Sequence, residues 1–149
     1  MQIAQSSSLF VALLVGILAL VAIVVGLRMR PARQSYIAAF FAVLPALLML
    51  VLFYSLAIHM CLTLGGWPAG IDESGFSKSL FAHAHVPTSY FIISFLGNIV
   101  TFPIAVLLCL LIRRLRVCVY YLGMYSLAWM MCYGAMLLAP SQYLKWWQD

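Results

Sequence analysis

Three histidines are the residues of this chain whose types and spacing could support chemistry. His83 and His85 stand one residue apart in the stretch SKSLFAHAHVPTSY, and His59 lies near the end of a long apolar run. Neutral imidazole is a ligand for zinc, copper and haem iron. An extended backbone would turn His83 and His85 to one face, where they could chelate, whereas a helix would separate them by about 200°. The sequence thus offers His59, His83 and His85 as a candidate metal or haem site, with a surface loop of half-hydrated imidazoles as the simpler alternative.

The elements that must position these histidines follow from a strongly apolar composition. Of the 149 residues, 66% are hydrophobic and 7% are charged, whereas a soluble domain is about 45–50% apolar and about 25% charged. Four apolar runs without Asp, Glu, Lys or Arg occupy residues 8–27, 36–64, 90–112 and 117–138. Each is long enough to cross a hydrocarbon core of about 30 Å as a helix, and no alternating strand pattern competes. The sequence predicts an all-α integral membrane protein, a single-domain bundle of four transmembrane helices.

The net charge of +5 is concentrated in two arginine clusters, at 28–33 and 113–116, which contain six of the eight basic residues. Each cluster lies between two apolar runs. Short arginine-rich loops remain on the cytoplasmic side, so both termini are predicted to lie on the outer side. Because no soluble basic face exists, nucleic-acid binding is excluded. The outer side then carries a tail at 139–149 and a loop at 65–89, in which a short helix is expected to end at Pro87.

Two further sets of residues are assigned to membrane anchoring and to helix packing. The predicted interfacial anchors, whose amphipathic rings suit the headgroup layer, are Trp67, Tyr143, Trp146 and Trp147. Small residues recur at helical spacing in the first and third runs and let helices approach closely. With the amide of Asn98, they form predicted seams for contact inside the bundle or with a partner: Ala12, Gly16, Ala19, Gly97, Asn98, Thr101 and Ala105.

Motifs for catalysis are absent from this sequence. No GxSxG, HExxH or phosphate-binding glycine loop occurs, and the four cysteines form no CxxC pair. Ionisable groups within the bilayer usually mark coupled transport, and the apolar runs contain no Asp, Glu, Lys or Arg. Coupled transport is therefore disfavoured, and neither an enzymatic activity nor a cofactor is predicted, apart from the metal or haem that the histidines could bind. A disulfide bridge between Cys61 and Cys132 is left open.

Three functions remain consistent with the sequence. The favoured one is a protein of a bacterial inner membrane that docks onto another integral membrane protein or onto itself, as an accessory, assembly or toxin-immunity type of partner. The second is a redox membrane subunit that binds metal or haem through the histidines. The third is an uncoupled channel or carrier for a small neutral or lipid-like molecule, built by oligomerisation, with a path lined by Pro45, Asn98, Thr101 and Pro103.

Overall fold

The computed structural model describes residues 16, 17, 19–26, 28, 35–68 and 76–148. The helices are α1 (Tyr36–Leu64), α2 (Lys78–Leu111), α3 (Cys118–Met136) and α4 (Ser141–Gln148), with a 3₁₀ turn at Arg113–Leu115 between α2 and α3. Residues 19–26 are helical as well and form the N-terminal segment. These residues contain no strand, so the predicted all-α fold is confirmed for this part of the chain. Half of the predicted first span, 8–27, lies outside the described residues.

Two helices have the length and apolar character that a membrane crossing requires. They are α1, with 29 residues, and α2, with 34 residues. At about 1.5 Å per residue they extend over about 43 Å and about 51 Å, more than a hydrocarbon core of about 30 Å. The helices α3 and α4 meet at 119° and count as a third candidate crossing if together they form one broken span. The fold is therefore that of a helical protein with two clear candidate spans.

The helix α1 covers the same residues as the second apolar run, and local chemistry explains both of its ends. The Ser35 hydroxyl accepts a hydrogen bond from the Ala38 amide at 3.3 Å, which satisfies one of the free N–H groups of the first turn. At the other end Gly65 has a φ of 68°, a left-handed conformation that glycine adopts without steric penalty. A serine cap and a glycine cap thus delimit the helix.

The helix α2 begins at Lys78, well before the third apolar run, so the outer loop predicted at 65–89 is shorter than expected. The sequence predicts that Pro87 ends a short helix, and this prediction is wrong. Pro87 is buried inside the long helix α2. Residues before a proline prefer extended backbone. Here Leu80 and Ala84 precede the proline and are buried against the core. The packing of this helix face outweighs the local preference.

The larger core lies between α1, the first turns of α2, the end of α3 and α4. Its largest fully buried side chains are Met49, Phe53, Leu56, Met60, Leu80 and Tyr143. Because α4 turns back from α3 at 119°, Tyr143 inserts beside Phe53, with ring centroids 4.9 Å apart. The half-buried rings of Trp67, Trp146 and Trp147 pack against this cluster. The short C-terminal helix is thus part of the core.

A second contact joins the N-terminal segment to α3 at very short distance. A Cβ atom on Gly26 would lie 2.9 Å from the Val119 carbonyl oxygen, and one on Gly123 would lie 2.8 Å from the Ala22 carbonyl oxygen. Only glycine permits two backbones to approach this closely. These pairings show that the N-terminal segment runs antiparallel to α3, while Ala22 also packs against Phe102 of α2.

Candidate functional site

His59 and His83 face each other where α1 ends and α2 begins. His59 precedes the end of α1 by five residues, and His83 follows the start of α2 by five residues. Their Nδ1 atoms are 2.7 Å apart, a hydrogen-bond distance, and the ring centroids are 5.0 Å apart with planes at 37°. Both side chains are half-buried. Two helix ends thus bring these imidazoles together as one site.

Neighbouring hydrogen bonds indicate which ring nitrogens carry protons. The Ser55 hydroxyl donates its only proton to the Leu52 carbonyl oxygen at 2.9 Å, so its oxygen must accept from His83 Nε2 at 3.1 Å. His83 Nε2 therefore carries a proton, and in the neutral ring Nδ1 has the lone pair. His59 then donates from Nδ1 and keeps its own lone pair on Nε2. The four groups form a directed chain from His59 through His83 and Ser55 to Leu52.

His85, the third histidine of the predicted site, does not join this pair. It is exposed on α2, and helical spacing directs its side chain about 200° away from that of His83. In the described part of the chain, no three side chains of His, Cys, Asp or Glu are grouped so that they could hold a metal ion. A haem between His59 and His83 would require the rings to part far enough to admit a porphyrin. The predicted three-histidine arrangement thus reduces to a pair in hydrogen-bond contact.

The predicted anchors cluster near α4, and one of them is a core residue. Tyr143 is fully buried, and its hydroxyl donates to the Phe53 carbonyl oxygen at 3.0 Å. The protein encloses this ring, so Tyr143 packs in the larger core. Trp67, Trp146 and Trp147 are half-buried, which leaves part of each ring accessible, as an interfacial residue requires.

Tyrosine hydroxyls form hydrogen bonds from one helix to another, and the sequence did not predict these bonds. Besides the one on α4, the Tyr54 hydroxyl donates to the Ala135 carbonyl oxygen at 2.7 Å, and the Tyr90 hydroxyl donates to the Pro45 carbonyl oxygen at 3.0 Å. A hydroxyl removed from water needs such a partner. For Tyr54 the signal available in the sequence was a tyrosine well inside an apolar run, whereas Tyr90 is the first residue of its run and gave no such signal.

The predicted seam on α2 divides into an inward and an outward part. Asn98 is half-buried and accepts a hydrogen bond from the Tyr125 hydroxyl of α3 at 2.5 Å. A Cβ atom on Gly97 would meet no other helix of the described chain within 4 Å. Thr101 is exposed, with its hydroxyl bonded to the Gly97 carbonyl oxygen at 2.8 Å, and Ala105 is half-buried. Asn98 therefore links two helices, while Gly97 and Thr101 form what we call the outward face.

The predicted seam of the first helix is only partly within the described residues. Ala12 lies outside them. Ala19 packs against the cluster that Ala22 forms with α2, whereas a Cβ atom on Gly16 would meet no atom of the described residues within 4 Å. The close contact with α3 is made further along the helix, at Ala22 and Gly26. Of the three predicted seam residues, only Ala19 is thus seen in packing.

Of the four residues suggested to line a transport path, one lies on α1 and three lie on α2. Asn98 is engaged by Tyr125, and Thr101 is exposed. Pro45 lies in α1 and Pro103 lies in α2, and the carbonyl oxygen of Pro45 is engaged by a tyrosine hydroxyl. The Asn98 and Thr101 side chains both form hydrogen bonds within the protein, and the transport path stays a prediction.

The cysteines are free thiols. Cys132 is buried in the larger core, and Cys61 is half-buried two residues after His59. The bridge between Cys61 and Cys132 that the sequence left open is not formed.

The fold and the site define a helical protein with candidate membrane spans and a hydrogen-bonded histidine pair between two helix ends. Comparison of the chain with known protein families, curated proteins and solved structures finds no match. Its function is therefore inferred from the geometry of its own residues.

Proposed function

We propose that this chain is a non-catalytic integral membrane protein that docks onto another integral membrane protein. It serves that partner as an accessory, assembly or protective subunit. The observation that carries the proposal is the outward face of α2, where Thr101 is exposed and the space around Gly97 is open among the described residues. Lipid provides no hydrophobic drive for helix association, so close packing on small residues is a principal attraction between membrane helices.

The contact of the N-terminal segment with α3 shows how this protein uses such residues. There, a Cβ atom on Gly123 would lie 2.8 Å from the backbone of Ala22. Gly97 and Gly16 are helix glycines of the same kind, and a Cβ atom on either would meet nothing within 4 Å among the residues that the structure describes. Both lie one to two turns before the point where Ala22 packs on Phe102, on helices that run in the same direction. Two neighbouring helices therefore offer open glycines at a similar depth to a partner helix.

Polar side chains inside the helices form hydrogen bonds within the protein. This supports a role in helix packing more than a role in transport. The Asn98 amide oxygen accepts from Tyr125, and the Thr101 and Ser126 hydroxyls donate to carbonyl oxygens one turn earlier in their own helices. No Asp, Glu, Lys or Arg lies in α1 or α3, and α2 has only Lys78 at its first residue. Such a bundle offers a membrane protein a packing surface and offers a charged substrate no path.

The same proposal includes four crossings of a bacterial inner membrane with both termini on the outer side. The 19 residues of α3 extend over about 28 Å, close to the hydrocarbon thickness of about 30 Å. The side chains of Arg113, Arg114 and Arg116 are exposed in the turn between α2 and α3. Short arginine-rich loops favour the cytoplasmic side, which puts the histidine pair on the opposite side.

Cysteine labelling in intact cells tests this orientation. In a variant without native cysteines, Gln142→Cys is expected to react with a membrane-impermeant maleimide, and Arg114→Cys is expected to react only after permeabilisation. Both side chains are exposed, so a difference in labelling reports the side of the membrane and not burial. Labelling of Arg114→Cys in sealed cells, with Gln142→Cys protected, would invert the proposed orientation.

Filling the outward face is expected to release the partner. Gly97→Leu places a side chain where a neighbouring helix would approach. Because overpacking a contact costs about 1–3 kcal/mol, the amount of partner retained should fall about tenfold. The measurement is quantitative mass spectrometry of membrane proteins that co-purify with the tagged full-length chain from native membranes in mild detergent.

Gly134→Leu is the matched control for this experiment. Gly134 lies on α3, is exposed, and likewise has open space around its Cβ position, so the substitution adds the same side chain at a different surface. This variant should retain the partner. A chain that purifies as a lone monomer under several extraction conditions, or an equal loss in both variants, would reject docking through α2.

A further inference from the structure

The two nitrogen atoms that His59 and His83 turn towards each other are suited to hold a metal ion. Both are Nδ1 atoms, 2.7 Å apart. We propose that this pair binds one transition-metal ion of the zinc and copper class, which replaces the proton between the two nitrogens. Imidazole nitrogen is a favoured ligand of these ions. This site is independent of the docking surface on α2 and would exist with or without a partner protein.

A small movement converts the hydrogen-bonded pair into a pair of ligands. Two nitrogens bound to a tetrahedral ion at about 2.0–2.1 Å lie about 3.3–3.4 Å from each other. The observed separation is 2.7 Å, so the two nitrogens need to part by roughly 0.6–0.7 Å. The rings must also turn, so that both Nδ1 lone pairs point at the ion. Both side chains are half-buried and lie close to helix ends. They can therefore make this shift, and water can complete the coordination of the ion.

Metal binding requires the proton between the two rings to leave His59 Nδ1, and the other ring nitrogen of His59 can take it up. When the ion binds, His59 changes from the Nδ1–H to the Nε2–H tautomer, so that the Nδ1 lone pair faces the ion. His83 needs no change, because its Nδ1 already has the lone pair.

Ser55 is the positioning residue of this site. Its oxygen accepts from His83 Nε2 at 3.1 Å, and its own proton is engaged by the Leu52 carbonyl oxygen. A ligating histidine usually donates its second N–H to such a partner, and loss of the partner weakens metal binding by about 10–100-fold. Ser55→Ala is therefore expected to weaken binding by about tenfold or more without changing the number of ions bound.

The position of the pair keeps it within reach of ions in water. The helix α1 extends over about 43 Å, against about 30 Å for a hydrocarbon core. His59 lies five residues from the end of this helix, and His83 lies five residues from the start of α2. In the proposed orientation the pair thus lies near the outer membrane surface, away from the bilayer centre.

Metal titration of the full-length protein in detergent tests the site. After treatment with a chelator, Zn²⁺ and Cu²⁺ are each expected to bind wild type at one ion per chain. His59→Ala and His83→Ala should each abolish this stoichiometric binding. His85→Ala is the matched control, because His85 lies on the same helix as His83 but is exposed and outside the pair, and this variant should bind as wild type does.

A second measurement does not depend on the folding of a variant. In ¹⁵N NMR spectra of histidine-labelled wild type, Zn²⁺ should shift the Nδ1 resonances of two histidines and leave those of the third unchanged. Wild type that binds neither Zn²⁺ nor Cu²⁺ stoichiometrically would overturn the proposal. So would binding that survives the combined His59→Ala and His83→Ala substitutions, or that His85→Ala reduces as strongly as His59→Ala does.

Discussion

Replacing Gly123 with alanine is expected to destabilise the protein by about 1–3 kcal/mol. The new Cβ atom would lie 2.8 Å from the Ala22 carbonyl oxygen and 3.3 Å from the Ile23 Cα atom, and backbone atoms cannot rotate away as a side chain can. The N-terminal segment would have to move away from α3, which would also disturb its contact with Phe102 of α2. Thermal unfolding in a single detergent, followed by far-UV circular dichroism, should show a lower midpoint.

Gly134→Ala serves as the control, because Gly134 lies on the same helix and no atom of the described part of the chain lies within 4 Å of its Cβ position. Alanine is the better helix former by about 1 kcal/mol, so this variant should be as stable as wild type or slightly more stable. Gly26→Ala should behave like Gly123→Ala, and the combined variant should lose less than the sum, since both act on one crossing. Equal midpoints for Gly123→Ala and Gly134→Ala would show that the two backbones are not this close.

The helix α1 could be predicted from the sequence because all of its determinants are local. An uninterrupted apolar run starts after Ser35 and stops before Gly65, and these two residues cap the helix. The continuation of α2 through Pro87 could not be predicted in the same way. The Ser77 hydroxyl caps the start of this helix by accepting from the Leu80 amide, but Pro87 is typical of a helix end by local rules. The burial of Leu80, Ala84 and Pro87 against other helices favours the long helix.

The same extension of α2 explains why the histidine site was only partly predicted. Spacing alone grouped His59, His83 and His85, and left the backbone between His83 and His85 undecided. Because α2 begins at Lys78, this stretch is helical, and His85 points away from His83. His83 then lies level with His59 on the antiparallel helix α1. The contribution of Ser55 depends on which face of α1 meets α2, and this is a property of the folded pair.

The sequence shows which helices carry regularly spaced small residues, but it does not show which helix packs against them or where. The regular stripe at Ala12, Gly16 and Ala19 is a typical seam, yet the shortest approach occurs at Gly26 and Gly123. A stripe shows that close approach is sterically allowed, whereas the crossing point depends on how all the helices pack. For that reason Gly97 could be predicted as a small residue in a seam, but its openness could be known only from the structure.

Tyr143→Ala is expected to destabilise the larger core by about 3–5 kcal/mol, as removal of a buried aromatic ring usually does. The Tyr143 ring is fully buried, with its centroid 4.9 Å from that of Phe53 and its hydroxyl bonded to the Phe53 carbonyl oxygen. Its loss should release α4, so that Trp146 and Trp147 become more exposed. A lower unfolding midpoint together with a red shift of tryptophan fluorescence would report this release.

Two further variants test whether the loss of stability comes from the Tyr143 ring. One removes only the Tyr143 hydroxyl, and the other removes a tyrosine elsewhere on the protein. Tyr143→Phe keeps the ring and removes one buried hydrogen bond, so it should cost about 1 kcal/mol. Tyr133→Ala removes a tyrosine of α3 that is 55% exposed and should change stability by about 0.5 kcal/mol or less. If Tyr143→Ala proved as mild as Tyr133→Ala, α4 would not be docked in the core. Its aromatic residues would then belong to the membrane surface, as the sequence alone predicts.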